Sequence, residues 1–440
     1  TFISGLAEAW RHGIGQLWVE RDLDVAGTLE EQVVVPDGAQ YFAAIGAARF
    51  GLDDDGEQVL YRGAESLRRY ADTGRMQQKL ASGLPGLARD EAELAAFRER
   101  FSPPPFQPAR LTPGQRLSAF IGLDGGSTST KAVLLDADQQ VLFKAYQLSN
   151  GNPIDDARQV IGQLAEQVEA QQSTLDILGV ATTGYAKDVL RDVLQADVAL
   201  VETVAHTQSA LHSYGEVDVI CDVGGQDIKI IILADGKVKD FKLNTQCSAG
   251  NGYFLQSTAE GLGIAVDDYA ESAFAAEVMP EFGFGCAVFL QTDIVDFQRQ
   301  GWHADEIMAG LAAVLPKNIW LYVAQIPNLA SLGTNFVLQG GTQKNLAAVK
   351  SQVDFIEQRF AGKGVTPHIE VHEHCGESGA IGAALEAIGL WKEGQRTRFI
   401  GLQALQGISY EMQRGEETRC SFCNNGCLRT FIDIDMPQAT

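Results

Sequence analysis

Two aspartate–glycine turns carry the side chains best suited to chemistry in this sequence. The first turn, residues 124–131, reads Asp-Gly-Gly-Ser-Thr-Ser-Thr-Lys, and the second turn, residues 222–229, reads Asp-Val-Gly-Gly-Gln-Asp-Ile-Lys. Each follows a short apolar run and leads into another, which predicts a β-hairpin tip. Glycine lets the backbone approach a phosphate, and hydroxyl and amide groups donate hydrogen bonds to it. Two such turns in order predict a nucleotide held between two lobes.

Each turn supplies candidate ligands for a nucleotide and its metal ion. We expect Asp124 and Asp222 to hold Mg²⁺, and Gln226 to orient a water molecule because its amide both donates and accepts hydrogen bonds. These three are the candidate catalytic residues. The candidate phosphate contacts are Gly125, Gly126, Ser127, Thr128, Ser129, Lys131, Gly224 and Gly225. For either turn alone, a plain glycine-rich hairpin is the alternative interpretation, and Asp227 has the simpler role of stabilising its turn.

A third glycine turn, residues 340–345, follows the apolar run that ends at residue 339. A helix is expected after it, so the helix N-terminus can face a phosphate while glycine lets an adenosine lie close. The candidate nucleotide contacts here are Gly340, Gly341, Thr342, Lys344 and Asn345, the last two for the base or ribose. Three turns in this order predict ATP or ADP, with Mg²⁺, as the bound cofactor.

Two of the seven cysteines are candidate ligands of an iron–sulfur cluster. Cys247 and Cys286 each precede a helical pattern, and the helix dipole favours a thiolate or an anionic cluster at that position. A [4Fe–4S] cluster usually takes four thiolates, so two from one chain would need a two-fold dimer to complete the site. Two buried, inert cysteines are the alternative.

The other cysteines suggest less. Cys420, Cys423 and Cys427 offer three ligands to zinc or a second cluster, and the fourth ligand is not evident. Cys221 is expected in the core. Cys375 stands near two histidines, but neighbouring strand side chains point to opposite faces, so capping or packing is the preferred interpretation over a metal site.

Composition excludes some classes of function. The chain has 34 Lys and Arg against 57 Asp and Glu, a formal charge of −23, which argues against nucleic acid or an anionic membrane as a partner. No apolar run approaches the ~20 residues of a membrane span, and no signal peptide is recognisable. An odd number of cysteines argues against a disulfide framework. We therefore expect a cytoplasmic protein.

The pattern of elements predicts an α/β fold in several parts. Residues 1–100 form an N-terminal segment, residues 101–116 a proline-rich linker, residues 117–392 a two-lobed domain, and residues 393–440 an extension with Cys-x2-Cys-x3-Cys. Each half of the domain opens with the β-β-β-α-β order of an actin-like, ribonuclease H-like ATPase lobe. Predicted strands include residues 120–123, 131–135, 141–147, 217–223, 228–233, 237–243, 335–338 and 368–371, with helices at residues 155–169 and from about residue 376.

A short internal repeat concerns the N-terminal segment. Ala44-Ile-Gly-Ala-Ala48 matches Ala380-Ile-Gly-Ala-Ala384 at an offset of 336 residues, and a β-like run precedes each copy, at residues 32–35 and 369–371. Two interpretations stay open: two unrelated small-residue helices, or residues 1–50 as the tail of an earlier copy of the same domain.

Five motifs together resemble the 2-hydroxyacyl-CoA dehydratase activators, whose wider family includes the ATPase subunits of benzoyl-CoA reductase. They are the three turns, Cys247-Ser-Ala-Gly-Asn-Gly and Gly285-Cys-Ala-Val-Phe, and the resemblance covers about residues 118–390. It implies the fold of acetate and sugar kinases, Hsp70 and actin. It also implies that Cys247 and Cys286 bind one [4Fe–4S] cluster bridging a homodimer. In that family ATP binding and hydrolysis drive a low-potential electron to a partner acyl-CoA dehydratase or reductase, with ferredoxin or flavodoxin as the usual donor.

The sequence departs from the small activators. After Cys286 it reads Ala-Val-Phe-Leu-Gln-Thr-Asp-Ile, where they usually carry Phe-Ala-Glu-Ser-Glu, and Asp293 is the candidate replacement carboxylate. The N-terminal segment and cysteine tail are similar to long relatives in which two ATPase modules precede a further domain. Two other functions stay open: an amino-sugar-type kinase, which needs a catalytic base that we do not find at the expected position, and a non-catalytic nucleotide-binding scaffold.

Overall fold

The computed structural model describes residues 5–53, 63–245 and 248–435. They divide into two compact units, one that ends at Gly74 and one that begins at Arg75. The α-helices described in the first unit are α1 (Leu6–Glu20), α2 (Leu29–Gln32), α3 (Phe42–Asp53) and α4 (Glu65–Arg69). In the described part of the chain, no helix has both the length and the apolar character needed to cross a bilayer.

The second unit opens with a short segment and then the first lobe. The segment contains α5 (Arg75–Ser82), β1 (Leu84–Pro85) and α6 (Glu91–Phe101). The first lobe contains β2 (Arg116–Gly125), β3 (Ser129–Leu135), β4 (Val141–Leu148), α7 (Pro153–Glu169), β5 (Thr174–Thr183), α8 (Lys187–Leu194) and β6 (Val198–Ala199), and α9 (Glu202–Tyr214) follows it. Its sheet has the order β4-β3-β2-β5-β6.

The second lobe repeats this arrangement with a larger helical insertion. Its elements are β7 (Val219–Val223), β8 (Ile228–Ala234), β9 (Lys237–Asn244), α10 (Gly252–Gly261), α11 (Tyr269–Phe274), β10 (Val278–Met279), α12 (Ala287–Arg299), α13 (Ala304–Lys317), β11 (Asn335–Gln339), α14 (Leu346–Phe360) and β12 (His368–Val371). Its sheet has the order β12-β11-β7-β8-β9. The chain continues through α15 (Ser378–Lys392), α16 (Leu402–Gln406) and the hairpin β13 (Ser409–Gln413) and β14 (Phe431–Asp435).

The two five-stranded sheets have one topology. In each, two antiparallel hairpin connections join the first three strands, and two further strands extend the sheet in parallel from the first strand. The fold class predicted from the order of elements along the chain is therefore confirmed. The first strand of each lobe is a short apolar run buried on both faces, as parallel strands covered by helices usually are.

Two helices cross between the lobes and cover the sheets. α9 follows the first lobe but packs through Ala210 on Ile220 and Ile231 of the second sheet. α15 follows the second lobe but packs through small side chains such as Ala380 on Phe120 of the first sheet. Because each lobe is covered by a helix from the other half of the chain, the base of the cleft is formed where α9 meets α15.

The segment before the first lobe contributes to the second lobe. β1 pairs antiparallel with β10, and Phe97 and Phe101 of α6 are buried in the second lobe's core. Lys79 of α5 forms a buried ion pair with Glu306 of α13, with 2.5 Å between Nζ and Oε2. Residues 75–100, which we assign from the sequence to the N-terminal segment, thus belong to the second compact unit.

The structure gives mixed support to the internal repeat. At the offset of 336 residues, the first residue of α3 corresponds to the first residue of α15. α1 and α14 both have 15 residues, but their offset is 340 residues. However, the expected β-like run at residues 32–35 is not a strand. Gln32 ends α2, whose start is held by a reciprocal capping box between Thr28 and Glu31. An earlier ATPase-like copy stays a prediction.

Substitution of two glycines of α15 tests the helix crossing. A Cβ at Gly382 would lie 1.8 Å from the carbonyl oxygen of Ala205 in α9, whereas Gly389 has open space around it. We expect Gly382→Ala to lower the free energy of unfolding by about 1–3 kcal/mol because the helices must separate. Gly389→Ala should raise it by up to about 1 kcal/mol through helix propensity. Denaturant unfolding measures both, and equal effects would contradict the close crossing.

Candidate functional site

The first and second turns face each other across the cleft. The first turn joins β2 to β3 and the second joins β7 to β8, so both are hairpin tips as predicted. Ser127 donates a hydrogen bond from Oγ to Oε1 of Gln226 over 3.1 Å. A Cβ at Gly225 would lie 3.3 Å from Oγ1 of Thr128, so glycine lets the two turns approach closely.

Asp222, at the end of β7, is buried, and its two carboxylate oxygens have different surroundings. Oδ2 lies 3.5 Å from Nζ of Lys229 and 3.6 Å from Nε2 of His206. Oδ1 is buried and has no hydrogen-bond partner among the described residues. Such an oxygen is costly to leave unpaired, so it is suited to accept from a water molecule bound to a metal ion. The residues present therefore fit a Mg²⁺ ion.

Lys229 is a fixed cation behind the second turn. Its Nζ lies 3.1 Å from Oε2 of Glu202 and also pairs with Asp227 and Asp222. Burial on its own lowers the pKa of Lys229, but the three carboxylates raise it above its ordinary value. Asp227 stabilises the turn, since its backbone carbonyl oxygen accepts a hydrogen bond from the backbone N–H of Gly224 over 2.9 Å.

Asp124, at the end of β2, is partly buried on the opposite side of the cleft. Its Oδ2 lies 4.0 Å from Nζ of Lys131. A Cβ at Gly184 would lie 2.5 Å from Oδ1, and one at Gly379 would lie 3.1 Å from Oδ2. Gly184 also has φ of +89°, a conformation that other residues adopt only with strain. These two glycines leave room for the carboxylate.

His206 of α9 is buried beside Asp222. Its Nδ1 lies 2.9 Å from Nε2 of Gln339 and 3.1 Å from Oγ of Ser378. An amide nitrogen only donates, so Nδ1 accepts and the proton of the neutral ring is on Nε2, which faces the carboxylate. With this orientation of the Gln339 amide, an N–H group of His206 faces Asp222.

The third turn contacts the second turn directly. Gly340 has φ of +93°, and a Cβ there would lie 2.3 Å from the carbonyl oxygen of Val223. Thr342 donates from Oγ1 to the carbonyl oxygen of Gly224 over 3.1 Å. A tight helical turn, Gly341–Lys344, then leads into α14, as predicted for a strand–turn–helix connection. The third turn therefore lies next to the glycines expected to contact phosphate.

Two predicted nucleotide contacts in the third turn have partners within the chain. Nζ of Lys344 lies 3.5 Å from Oε1 of Glu377 and 5.6 Å from the ring centre of Tyr146. Burial raises the pKa of Glu377, but Lys344 and Lys144 together hold it below its ordinary value. Oδ1 of Asn345 accepts from two backbone N–H groups as the N-cap of α14. Contacts of Lys344 and Asn345 with a base or ribose stay predictions.

Cys286 occupies the position predicted for it. It is the N-cap residue of α12 and is partly exposed. Val288 and Phe289, which follow it, are 70% and 71% exposed. Cys247 lies outside the described residues. The chain after it enters α10, which Asn251 caps.

Cys221 and Cys375 are both buried. Cys221 is in the core as predicted, and burial raises its pKa. Cys375 is also buried, and burial together with Glu377 raises its pKa to about 11. His372 beside it is buried, which lowers its pKa to about 3. Among the described residues, no group of three or more His, Cys, Asp and Glu side chains is arranged to hold a metal ion.

The three C-terminal cysteines lie in the loop between β13 and β14. The backbone N–H of Cys420 donates to the carbonyl oxygen of Cys427 over 2.8 Å, which brings the two ends of the loop together. Cys423 is exposed between them. A zinc ion or a second cluster at these thiols stays a prediction.

Three residues at the site were not predicted: Gly184, His206 and Lys229. Gly184 follows a buried strand, and a glycine at the end of a parallel strand next to a candidate site was an available signal. His206 is one of only seven histidines and lies in the helix before β7. Lys229 was in the quoted motif, yet no local pattern shows that it is buried among carboxylates.

The duplicated sheets and the three glycine turns that meet between them define the class of protein: a two-lobed ATPase fold. Residues 121–387 match the model of the BadF/BadG/BcrA/BcrD ATPase family. This match covers more than half of the chain, and the chain belongs to this ATPase family. The actin-like fold class predicted from the sequence is confirmed, as is the resemblance to the activators.

Known relatives support this assignment. The chain is 25% identical over 267 residues to the (R)-2-hydroxyglutaryl-CoA dehydratase activating ATPase of Acidaminococcus fermentans, covering 61% of this chain and 96% of the relative. The crystal structure of component A of the Acidaminococcus fermentans (R)-2-hydroxyglutaryl-CoA dehydratase has a TM-score of 0.53 at 23% identity. The match covers 63% of this chain and 100% of the component A chain. The structure of the activator of the 2-hydroxyisocaproyl-CoA dehydratase from Clostridium difficile, with bound ADPNP, has a TM-score of 0.55 at 25% identity. The match covers 63% of this chain and 97% of the activator chain.

Replacing His206 tests its contact with Asp222. We expect His206→Leu to lower kcat of Mg²⁺-dependent ATP hydrolysis about 10- to 100-fold, as loss of a group that orients a metal-holding carboxylate does. His206→Gln keeps an N–H donor near Nε2 and should retain more of the rate. The affinity for ATP, measured by calorimetry, should change little in either variant.

A second buried histidine provides the control. Nε2 of His372 is hydrogen-bonded to Oγ of Ser209 over 2.9 Å, and no ion pair or hydrogen bond joins it to Asp124 or Asp222 among the described residues. His372→Leu should therefore reduce stability without a selective loss of kcat. Equal losses of kcat in the two leucine variants, in proportion to their losses in unfolding free energy, would assign His206 a purely structural role.

Proposed function

We propose that the chain is an ATP-driven activator that passes a low-potential electron from a [4Fe–4S] cluster to a partner protein. The cluster bridges two copies of the chain, and Cys247 and Cys286 of each copy hold it. The partner is an acyl-CoA dehydratase or reductase, as the names of the relatives suggest. Ferredoxin or flavodoxin supplies the electron, and the reaction takes place in the cytoplasm.

One observation carries this proposal: the second turn is hydrogen-bonded to the helix that follows Cys247. The N–H groups of Gly252 and Tyr253, at the start of α10, donate to the carbonyl oxygens of Gly224 and Gly225 over 3.0 and 2.8 Å. A turn suited to contact the γ-phosphate is therefore attached to the helix next to a candidate cluster ligand.

The surface around Cys286 supports a homodimer through the cluster. Phe284 and Tyr253 are 52% and 55% exposed and add to the exposed Val288 and Phe289. A group of large apolar side chains open to solvent usually marks an interaction surface. A second copy would cover this surface and bring the other half of the cluster ligands.

The chain's own residues carry out the hydrolysis that drives the transfer. Asp124 and Asp222 would hold a Mg²⁺ ion, which would neutralise charge on the phosphates. Gln226, already hydrogen-bonded to Ser127, orients the water that attacks the γ-phosphorus as the bond to ADP breaks. The second turn then loses its contact with the γ-phosphate, and α10 is free to respond.

Iron analysis tests the ligand assignment. We expect the anaerobically reconstituted protein to be dimeric and to contain about four iron and four sulfide per dimer. Cys286→Ala should lose the cluster, because half of the thiolates are removed, and should keep its affinity for ATP. Iron, sulfide and EPR of the dithionite-reduced protein measure the first property, and calorimetry with ATP measures the second.

Cys221→Ala is the matched control, because Cys221 is buried in the core and should leave the iron content unchanged. Full iron in Cys286→Ala would show that the ligand assignment is wrong. Wild-type protein without iron that phosphorylates an amino sugar would favour the kinase. ATP binding without turnover, even with a cluster present, would favour the scaffold.

A further inference from the structure

Asn318, whose side-chain amide is buried, directly follows the end of α13. Pro316 is inside the last turn of α13, and a π-helical turn, Asn318–Val323, follows directly. Proline removes a backbone donor and π-turns are rare, so this helix end departs from regular geometry at a cost. Asn318 is the first residue of the π-turn and is 0% exposed. Its position therefore calls for a compensating interaction.

Asn318 bonds to two loops that precede helices. Its Oδ1 accepts from the N–H of Gly285 over 2.8 Å, and its Nδ2 donates to the carbonyl oxygen of Ala249 over 2.9 Å. Only one orientation of the amide satisfies both bonds. Gly285 directly precedes Cys286, and Ala249 stands two positions after Cys247 along the chain. The two loops have no need to lie together for the sake of the ATP site.

These bonds complete a contiguous connection from the second turn to Cys286. The carbonyl groups of Gly224 and Gly225 hold the start of α10, and the loop 248–250 lies directly before that helix. Asn318 joins this loop to Gly285, and Gly285 is bonded covalently to Cys286. Every step is a hydrogen bond of 3.0 Å or less or a few residues of backbone.

We propose that Asn318 is the positioning residue through which the second turn controls the environment of Cys286. This inference rests on the proposed function. If α10 moves when the turn gains or loses a γ-phosphate, Ala249 moves with it. Gly285 must then follow, or else buried donors and acceptors lose their partners, which costs free energy for each group. A shared amide thus couples the two cysteine loops, so that they change together.

The reactivity of Cys286 in cluster-free protein tests this coupling. Iodoacetamide labels the partly exposed thiol, and mass spectrometry of the Cys286 peptide gives the rate with and without Mg²⁺ and ATP. We expect ATP to change the wild-type rate by about 5-fold or more, the lower range of typical coupling between sites. Asn318→Leu should reduce this change below about 2-fold while ATP affinity is retained.

Two further variants separate coupling from loss of stability. Asn318→Asp keeps an acceptor for Gly285 but faces Ala249 with an oxygen, so its response should lie between those of the wild type and Asn318→Leu. Asp156→Asn is the matched control: Asp156 is 0% exposed and accepts from Ser149 over 2.9 Å in the first lobe, far along the chain from both cysteine loops. It should keep the full response to ATP.

The outcomes separate this inference from the proposed function. A wild-type response to ATP that Asn318→Leu retains would overturn the inference, and so would a wild-type thiol that ignores ATP. Loss of the response in Asp156→Asn as well would also overturn it, because any loosening of the fold would then suffice. Wild-type protein that never binds iron would instead contradict the proposed function, whereas the alkylation rates would still be measurable.

Discussion

The carbonyl groups of Gly224 and Gly225 accept the first backbone N–H groups of α10, and the rest of the site depends on these two hydrogen bonds. The first N–H groups of a helix have no partners inside the helix. Here the second turn supplies them, so the loop expected to contact the γ-phosphate is also the end support of a helix. A shift of the turn therefore changes the position of α10 or leaves its first donors unpaired.

Much of the framework could be predicted because it depends on local pattern. Alternating apolar runs and glycine turns identify the strands and the two hairpin tips, since strand period and turn geometry are set by neighbouring residues. The position of Cys286 at a helix N-terminus could also be predicted, because the helical pattern begins directly after it. Local pattern also misled at residues 32–35, where apolar residues suggest a strand, but Gln32 ends the capped helix α2 and residues 33–35 are not in a strand.

The polar residues inside the site could not be predicted, because their partners lie far along the chain. His206 meets Gln339 across 133 positions, and Asn318 meets Ala249 across 69. A buried polar group is stable only when its partners are in place, and those partners become known only with the fold. For the same reason Asn345, which we expected at the nucleotide, has a second role as the cap of α14 that the motif alone does not reveal.

The crossing of α9 and α15 lies next to both aspartates that we expect to hold Mg²⁺. Gly382 lets α15 lie against the backbone of α9 at Ala205, directly before His206. His206 then faces Asp222 of the second lobe, while Gly379 of α15 lies against Asp124 of the first. Rotation of one lobe on the other must pass through this crossing, as in other hinged domains. Opening of the cleft would therefore change the distance between the two aspartates and the position of the second turn together, and α10 with it.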